Sequence, residues 1–194
     1  MPIFKYFPLA TANHAVGAVV VIDVLRAFTT AAYAFDSGAH QIFPVGTVEE
    51  ALALRERLPN TAIMGEVDGH KPEGFDFSNS PAEILKANLS GKGLIQRTTA
   101  GTQGIITAKN AQALLAASFV VARATATHLR QMARDLISFV ITGQSLGRDG
   151  DEDWACAEYI GALVRGYDPD PSPFTSRVLS SSVGSAFSSD ELDY

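Results

Sequence analysis

Short apolar runs alternate along the chain with longer segments of helical period. Runs rich in Val and Ile and bounded by Gly, Pro, Asn or Ser predict strands at Ala18–Asp23, Gln41–Val45, Thr61–Met64, Gly93–Arg97, Ala113–Ala116 and Leu136–Ile141. The segments of helical period predict helices at Arg26–Asp36, Val48–Arg57, Pro81–Asn88, Thr102–Lys109, Ala122–Arg134 and Glu152–Arg165. Strands that are apolar on both faces and alternate with helices indicate a parallel sheet covered on two sides. The sequence therefore predicts a three-layer α/β/α fold with a largely parallel or mixed sheet, with two α/β subdomains sharing a crevice as an alternative.

Local signals refine this organisation. Thr47 stands three residues before Glu50, and Ser80 stands three before Glu83 with Pro81 at the first helical position, which predicts two capped helix starts. The polar segment GQSLGRDGD suggests a boundary, so we predict a core domain at 1–142 and a C-terminal helix and irregular tail at 143–194. This second part is alternatively a piece of a second, truncated α/β subdomain.

Composition and charge narrow the class of partner. The formal charge is −6, and the acidic and basic residues are scattered without a basic run, so nucleic acid is not an expected partner. The single cysteine, Cys156, excludes an intrachain disulfide and a thiolate metal site. No apolar run reaches the roughly 18 residues that span a bilayer, and the N-terminus lacks the pattern of a signal peptide. We expect a cytoplasmic protein without a membrane partner.

Polar residues follow three of the predicted strands. Asp23, Gly65–Glu66 and Thr98–Thr99 all lie just past strand ends, and the carboxyl ends of parallel strands meet at one rim, where ligands bind in α/β sheets. Asp23 followed by Arg26 can direct a carboxylate at a metal and a guanidinium at an anion. An ion pair between Asp23 and Arg26 is the alternative.

The segment GEVDGHKPEGFDFSNSP, which begins at Gly65, is a long loop dense in ionisable residues. Long loops in compact domains are usually functional or disordered, and two prolines and two aromatic residues argue against disorder here. The Ser80 hydroxyl and the first amides of the helix that starts at Pro81 could bind an anion. Simple helix capping is the alternative.

The segment RTTAGTQG, which begins at Arg97, opens a predicted helix after a strand. Glycine allows the backbone to approach a ligand closely, and the hydroxyls and amides can surround phosphate or sulfonate oxygens. The segment matches neither the Walker loop nor Gly-x-Gly-x-x-Gly.

Two further places are weaker candidates. Arg123 follows a strand and could lie over the same crevice, or be an ordinary surface arginine. Glu152 and Asp153 open a helix, where acids are favoured by the helix dipole alone. Their alternative role is that of hard oxygen ligands suited to magnesium.

Several chemistries are excluded by missing motifs. The sequence contains neither the Gly-x-Ser-x-Gly elbow of serine hydrolases nor His-Glu-x-x-His. Carboxylates, arginines, a lysine and hydroxyl-rich glycine turns remain. These groups suit magnesium-assisted chemistry on a small anion, with phosphoryl transfer as the leading case.

Six stretches in order resemble the 2-phosphosulfolactate phosphatase family over residues 17–165: VVIDVLRAFTTA, PVGTVEEALALRE, GEVDGHKPEGFDFSNSPAE, RTTAGTQGI, AASFVVARATATHL and DEDWACA. The resemblance implies an α/β fold and a magnesium-dependent hydrolysis of (2R)-2-phospho-3-sulfolactate to 3-sulfolactate and phosphate, a step of coenzyme M biosynthesis. The motif positions carried over are Asp23, Arg26, Glu66, Lys71, Asn79, Ser80, Thr98, Thr99, Gly101, Thr102, Glu152 and Asp153. The chain departs from the family pattern at Val67, where a basic residue is common, and at Ala100, where asparagine is.

The residues and the resemblance together give one assignment of roles. The catalytic residues are predicted to be Asp23, Arg26, Glu66 and Lys71. The phosphate is predicted to be bound by Asn79, Ser80, Thr98, Thr99, Gly101, Thr102 and Arg123. A Mg²⁺ cofactor is predicted to be held by Asp23, Glu66, Glu152 and Asp153.

The nucleophile is left between Asp23 and a water molecule activated by the cation. Position 25 is leucine, where phosphatases of the haloacid dehalogenase type carry a second aspartate, so we favour water. The expected partner is a small phosphorylated acid, and a homodimer is an alternative to a monomer. Competing interpretations are a non-catalytic or degenerate small-anion-binding α/β protein, for which Val67 and Ala100 argue, and a nucleotide-binding domain, which lacks its glycine motif.

Overall fold

The strands and helices follow the apolar pattern of the sequence closely. The structure is a computed structural model that describes residues 1–145 and 147–186. Its strands are β1 (Ile3–Pro8), β2 (Gly17–Ile22), β3 (Gln41–Pro44), β4 (Thr61–Gly65), β5 (Gly93–Arg97), β6 (Ala111–Ala117) and β7 (Leu136–Ile141). Its α-helices are α1 (Ala27–Asp36), α2 (Val48–Arg57), α3 (Pro81–Ile84), α4 (Gly101–Thr107), α5 (Ala122–Met132), α6 (Asp151–Val164) and α7 (Ser172–Ser180). Short 3₁₀ segments cover Leu9–His14, Phe119–Val121 and Gly184–Ala186.

The strands form two separate parallel sheets. The first has the order β1-β7-β2-β6 and the second the order β3-β5-β4, with every pairing parallel. The chain leaves the first sheet after β2, builds the second sheet, and returns to the first at β6. The predicted α/β fold with parallel sheets between helices is confirmed.

Three apolar clusters hold the layers together. One face of the first sheet packs against α5, α6 and α7 around Phe139 and Ile160. Its other face shares a cluster with α1 and the second sheet, in which Val21 and Met64 take part. The outer face of the second sheet packs on α2 around Ile63. Helix α1 therefore lies between the two sheets, and its N-terminus lies where strands of both sheets end.

Four local predictions were wrong. β1 was not predicted, and α3 ends at Ile84, well before the expected Asn88. Ser80 makes no side-chain capping bond, because the Glu83 carboxylate instead accepts hydrogen bonds from the amide (2.9 Å) and hydroxyl of Ser78. Helix α7 lies in the tail that was expected to be irregular.

The capping box at the start of α2 is confirmed. The Thr47 hydroxyl accepts from the Glu50 amide at 3.1 Å, and the Glu50 carboxylate accepts from the Thr47 amide at 3.2 Å. The described part of the tail packs back on α6 through Arg177, which forms ion pairs with Asp151 and Glu158. Residues 187–194 of the expected tail lie outside the described residues. The domain division at residue 143 stays a prediction.

Candidate active site

Asp23 lies directly after β2 and is 7% exposed. One of its carboxylate oxygens, Oδ1, accepts a hydrogen bond of 2.9 Å from the amide of Ala27 at the start of α1. Burial raises the pKa of Asp23 to about 6; the Ala27 amide opposes this shift, and the carboxylates of Glu66 and Glu152 add to it. Acids from three distant parts of the chain are therefore close enough to repel one another at this position.

Asp153, in the first turn of α6, joins two strand ends of the first sheet. Its Oδ1 accepts from the Val24 amide at 2.8 Å, and its Oδ2 accepts from the Gly143 amide at 2.7 Å and the Thr142 hydroxyl at 3.3 Å. Burial raises the pKa of Asp153 well above its ordinary value, and the carboxylate of Asp23 raises it further. Both oxygens of Asp153 are thus engaged in holding the ends of β2 and β7 together.

Glu152 is the neighbouring acid, and it has an oxygen without a partner. The residue is 2% exposed, and its Oε2 accepts no hydrogen bond within the described part of the chain. Burial raises the pKa of Glu152, while hydrogen bonds from its own amide and from Ser181 lower it. A buried carboxylate oxygen without a donor is costly in free energy unless a proton or a cation satisfies it.

Glu66 connects two strand ends of the second sheet. Its Oε1 accepts from the Thr99 amide at 2.6 Å, and its Oε2 accepts from the Thr99 hydroxyl and the Gly69 amide, both at 2.8 Å. The Thr99 hydroxyl in turn accepts from the Asp68 amide at 2.8 Å. Glu66 and Thr99 therefore fix the loop that follows β4 against the turn that follows β5.

The turn after β5 packs directly on Asp23. Thr98 and Thr102 bond reciprocally: the Thr98 amide donates to the Thr102 hydroxyl at 2.8 Å, and the Thr102 amide donates to the Thr98 hydroxyl at 3.0 Å. A Cβ atom at Gly101 would lie 2.8 Å from Asp23 Oδ2 and 2.6 Å from the Ala27 Cβ. Gly101 therefore allows α4 to begin against the carboxylate itself.

The loop after β4 places its predicted residues in different surroundings. Asn79 is buried, and its Oδ1 has no partner among the described residues. Ser80 precedes α3 without a capping bond, and the exposed Lys71 ammonium lies 3.5 Å from the Asp76 carbonyl. Arg26, just before α1, is half-buried at the same end of the molecule as Asp23.

Arg123 lies apart from the acidic group. Its guanidinium is 2.8 Å from the Asp168 carboxylate, and both side chains are largely exposed. With Thr127, Arg130 and Tyr167 it lines a surface cavity of about 240 Å³ between α5 and the segment after α6.

The sequence did not single out three residues that help to build the site. Thr142 and Gly143, after β7, bind Asp153, and the buried Gln96 side chain donates to the Ala27 carbonyl at 2.9 Å. The rule applied to the other strand ends also covers Thr142 and Gly143. Gln96 lies inside a strand, where the sequence offers no signal of its role.

Carboxylates and hydroxyls from both sheets thus meet in one region, and comparisons with known proteins point to one family. A family model described as 2-phosphosulpholactate phosphatase matches residues 7–179. A probable 2-phosphosulfolactate phosphatase of Bacillus subtilis is 40% identical over 148 residues, which is 76% of this chain and 64% of that protein.

Two further relatives carry the same name. The protein of Carboxydothermus hydrogenoformans is 37% identical over 159 residues, 82% of this chain and 65% of its own length. That of Thermotoga maritima is 39% identical over 146 residues, 75% of this chain and 60% of its own length. The chain therefore spans less than two thirds of each of these relatives. With most of its length matched in this way, the chain belongs to the 2-phosphosulfolactate phosphatase family.

Proposed function

We propose that the chain is a magnesium-dependent phosphatase that hydrolyses (2R)-2-phospho-3-sulfolactate to 3-sulfolactate and phosphate. The observation that carries the proposal is the burial of Asp23 beside Glu152 and Asp153, with Glu66 near enough to raise the Asp23 pKa. A protein that buries mutually repelling acids loses stability unless a cation or protons neutralise them. The proposed substrate is taken from the relatives, which are named probable 2-phosphosulfolactate phosphatases.

The donor set suits Mg²⁺ in a particular way. Across residues 1–145 and 147–186 no three acidic, histidine or cysteine side chains converge closely enough to enclose a metal. Magnesium is usually held by one or two carboxylates, with water and substrate phosphate oxygens completing its coordination. Asp23 and Glu152 fit that requirement, since Glu152 Oε2 lacks a partner and Asp23 Oδ2 is not engaged by the Ala27 amide.

Glu66 and Asp153 then take a supporting role in this proposal. Each already accepts hydrogen bonds on both carboxylate oxygens. We assign them to hold the loop after β4 and the ends of β2 and β7 in place around the cation. This assignment narrows the four predicted ligands to two that bind directly and two that position the site.

The chemistry supplied by Mg²⁺ would be charge neutralisation on the phosphate and a lowered pKa for the attacking water. Arg26 and Lys71 would pair with the anionic groups of the substrate, and Asn79 and Thr98 would offer hydrogen bonds from the neighbouring loops. Asp23 is poorly suited to attack phosphorus itself, because a second aspartate at position 25 is missing to act as acid and base.

The test measures phosphate release from (2R)-2-phospho-3-sulfolactate, with 2-phospholactate as the matched compound that lacks the sulfonate. We expect release that requires Mg²⁺ and stops with EDTA, prefers the sulfonated compound, and falls by roughly 100-fold or more in Asp23→Asn. A Lys71→Met variant should raise the KM for the sulfonated compound more than that for phospholactate. Binding of either compound without any Mg²⁺-stimulated release would favour the non-catalytic anion-binding protein instead.

The presence or absence of a phosphorylated protein distinguishes the two candidate nucleophiles, water and Asp23. Attack by water leaves no phosphorylated protein at any time, whereas attack by Asp23 leaves an acyl phosphate that acid quenching would trap. We expect no trapped phosphoprotein.

The compartment that we propose is the cytoplasm. The free, buried Cys156 is consistent with that compartment.

A further inference from the structure

Strand β6 forms one edge of the first sheet, and within residues 1–145 and 147–186 nothing protects that edge. Among the described residues β6 pairs with β2 alone, so its other side presents unpaired backbone donors and acceptors. Its sequence, AQALLAA, contains neither a charged residue nor proline. Leu114, at its centre, is 41% exposed. Exposed apolar edge strands pair readily with another strand, and proteins normally guard them.

The other three sheet edges are guarded. β1, the opposite edge of the same sheet, carries Lys5 and ends at Pro8. β3 ends at Pro44. The outer edge of β4 is occupied by the chain itself, since the Ile63 carbonyl accepts from the Phe77 amide at 3.1 Å. The edge at β6 differs from these three in offering a free, uncharged site for pairing with a further strand.

An apolar surface continues from the edge of β6 onto its neighbours. Val120, in the 3₁₀ segment after β6, is 50% exposed. With Ala32 and Tyr33 of α1 it lines a groove of about 250 Å³, which Asp36 borders. Residues 111–121 contain no charged side chain, in a chain whose formal charge is −6. This is therefore a surface where two equally charged molecules can approach with little electrostatic repulsion.

We propose that a second copy of this chain covers β6, so that two molecules join edge to edge in a two-fold homodimer. A two-fold axis through the centre of an edge strand pairs that strand with its own copy in antiparallel orientation, which satisfies the open donors and acceptors of both. With the axis at Leu114, each Leu114 faces its counterpart and the two sheets form one sheet of eight strands. The proposal does not depend on the phosphatase activity.

The geometry also fixes where the two crevices open. Asp23 follows β2, the strand next to β6, and its amide donates to the Ala117 carbonyl at the end of β6 at 3.2 Å. In each molecule the strands of the first sheet are parallel, so antiparallel pairing of β6 with its copy directs the carboxyl ends of the strands of the two molecules in opposite directions. The two sites around Asp23 would then lie at opposite ends of the strands of the joined sheet, so both stay accessible.

The first test places a charge on the edge. We expect the wild-type chain to sediment with about twice its monomer mass of 20.6 kDa, and Leu114→Lys to sediment as a monomer with unchanged circular dichroism. The matched control is Ile3→Lys, an exposed apolar residue on the opposite edge about 14 Å away, which should stay dimeric. A monomeric wild type, or a Leu114→Lys variant that remains dimeric, would overturn the proposal.

A second test does not rely on a destabilising charge. Opposite residues of an antiparallel pair have Cα atoms about 4.5–5.5 Å apart, within reach of a disulfide. Mild oxidation should therefore link Leu114→Cys into a covalent dimer, while Ile3→Cys and the wild type, whose only thiol is buried, stay unlinked. Hydrogen exchange of the β6 amides that point away from β2 completes the test. If these amides are protected in a monomer, another part of the same chain covers the edge, which refutes the dimer.

Discussion

The buried position of Asp23 makes a quantitative prediction about the metal-free protein. Its pKa is about 6 in the folded protein against an ordinary 3.8, chiefly because of burial. The folded state then binds the Asp23 proton more tightly than the unfolded state does. The contribution of Asp23 to the free energy of unfolding is therefore fully present below about pH 4 and is lost as the pH rises through about 6.

The magnitude follows from the size of the shift. A difference of about two pKa units corresponds to about 3 kcal/mol, a large share of the 5–15 kcal/mol typical of a folded domain. The pKa values of Glu152 and Asp153 are raised as well, so their contributions have the same sign. Asp23 alone should accordingly contribute about 3 kcal/mol less to the free energy of unfolding of the metal-free protein at about pH 8 than at about pH 4.

Urea unfolding in the presence of EDTA, repeated across this pH range, measures the change in the free energy of unfolding. Asp23→Asn keeps an oxygen that can accept from the Ala27 amide but removes the charge, so its stability should depend far less on pH than that of the wild type. Asp135→Asn removes an exposed charge instead and should keep the wild-type slope. If Asp23→Asn and the wild type lose the same free energy of unfolding over this pH range, the buried Asp23 charge does not destabilise the metal-free protein.

Binding of Mg²⁺ should restore the free energy of unfolding that the metal-free protein loses at high pH. At a free concentration about 100 times its Kd, a ligand that binds only the folded state adds about 2.7 kcal/mol. We expect this gain for the wild type at about pH 8 and its absence in Asp23→Asn. The gain should disappear below about pH 5, because protons then occupy the carboxylates.

Three further changes test how the site is built. Thr142→Val removes a hydroxyl that donates to the Ile22 carbonyl and lowers the Asp23 pKa, so urea unfolding should show a loss of about 1 kcal/mol that is greater at high than at low pH. Gly101→Ala brings a methyl group within 2.8 Å of Asp23 Oδ2, and calorimetry should show that Mg²⁺ no longer raises the Tm, at a packing cost of about 1–3 kcal/mol. Thr99→Val takes a donor from Glu66 and an acceptor from the Asp68 amide, so hydrogen exchange of that amide should accelerate while Val140, in the core, remains protected.

The sequence predicted the strands of this fold well for a physical reason. Strands buried on both faces appear as unbroken apolar runs, and glycine, proline or a polar residue marks their ends. Gly93–Arg97 and Leu136–Ile141 were predicted with the bounds that the structure has. β1 was missed because none of its residues is fully buried and the run is interrupted by Lys5, as befits an edge strand.

The division of the strands between two sheets could not be predicted from the pattern. Both sheets are parallel and both use the same kind of apolar run, so nothing local distinguishes β2 from β5. Helix α7 was hidden by its serine and proline content. It is held by tertiary contacts, with Arg177 bonding two acids of α6 and Val178 buried in the core cluster. Contacts of this kind override weak local propensity.

The candidate site shows the same limit in finer detail. That Glu66 and Thr99 would lie together followed from their places after neighbouring parallel strands. Asp23 follows a strand of the other sheet, so its place beside them did not follow from that rule. The sequence did not show which carboxylate oxygens would lack a hydrogen-bond donor. That depends on backbone amides that other helices and strands bring close to them. Asp153 and Glu152 are adjacent in the sequence, yet two amides satisfy the first while one oxygen of the second has no partner.

The split into two sheets has a consequence for how the site can work. Asp23 and Asp153 belong to the first sheet and its helices, whereas Glu66 and Thr99 belong to the second. The direct polar link between Gln96 and the Ala27 carbonyl joins the sheets beside the start of α1, whose first amide binds Asp23. Any shift of one sheet against the other therefore changes the spacing of the acids and with it their mutual repulsion. A cation bound to Asp23 and Glu152 would relieve the repulsion between Asp23 and Glu66 and so favour the arrangement in which the sheets are closer. Metal affinity and the packing between the sheets are therefore coupled quantities.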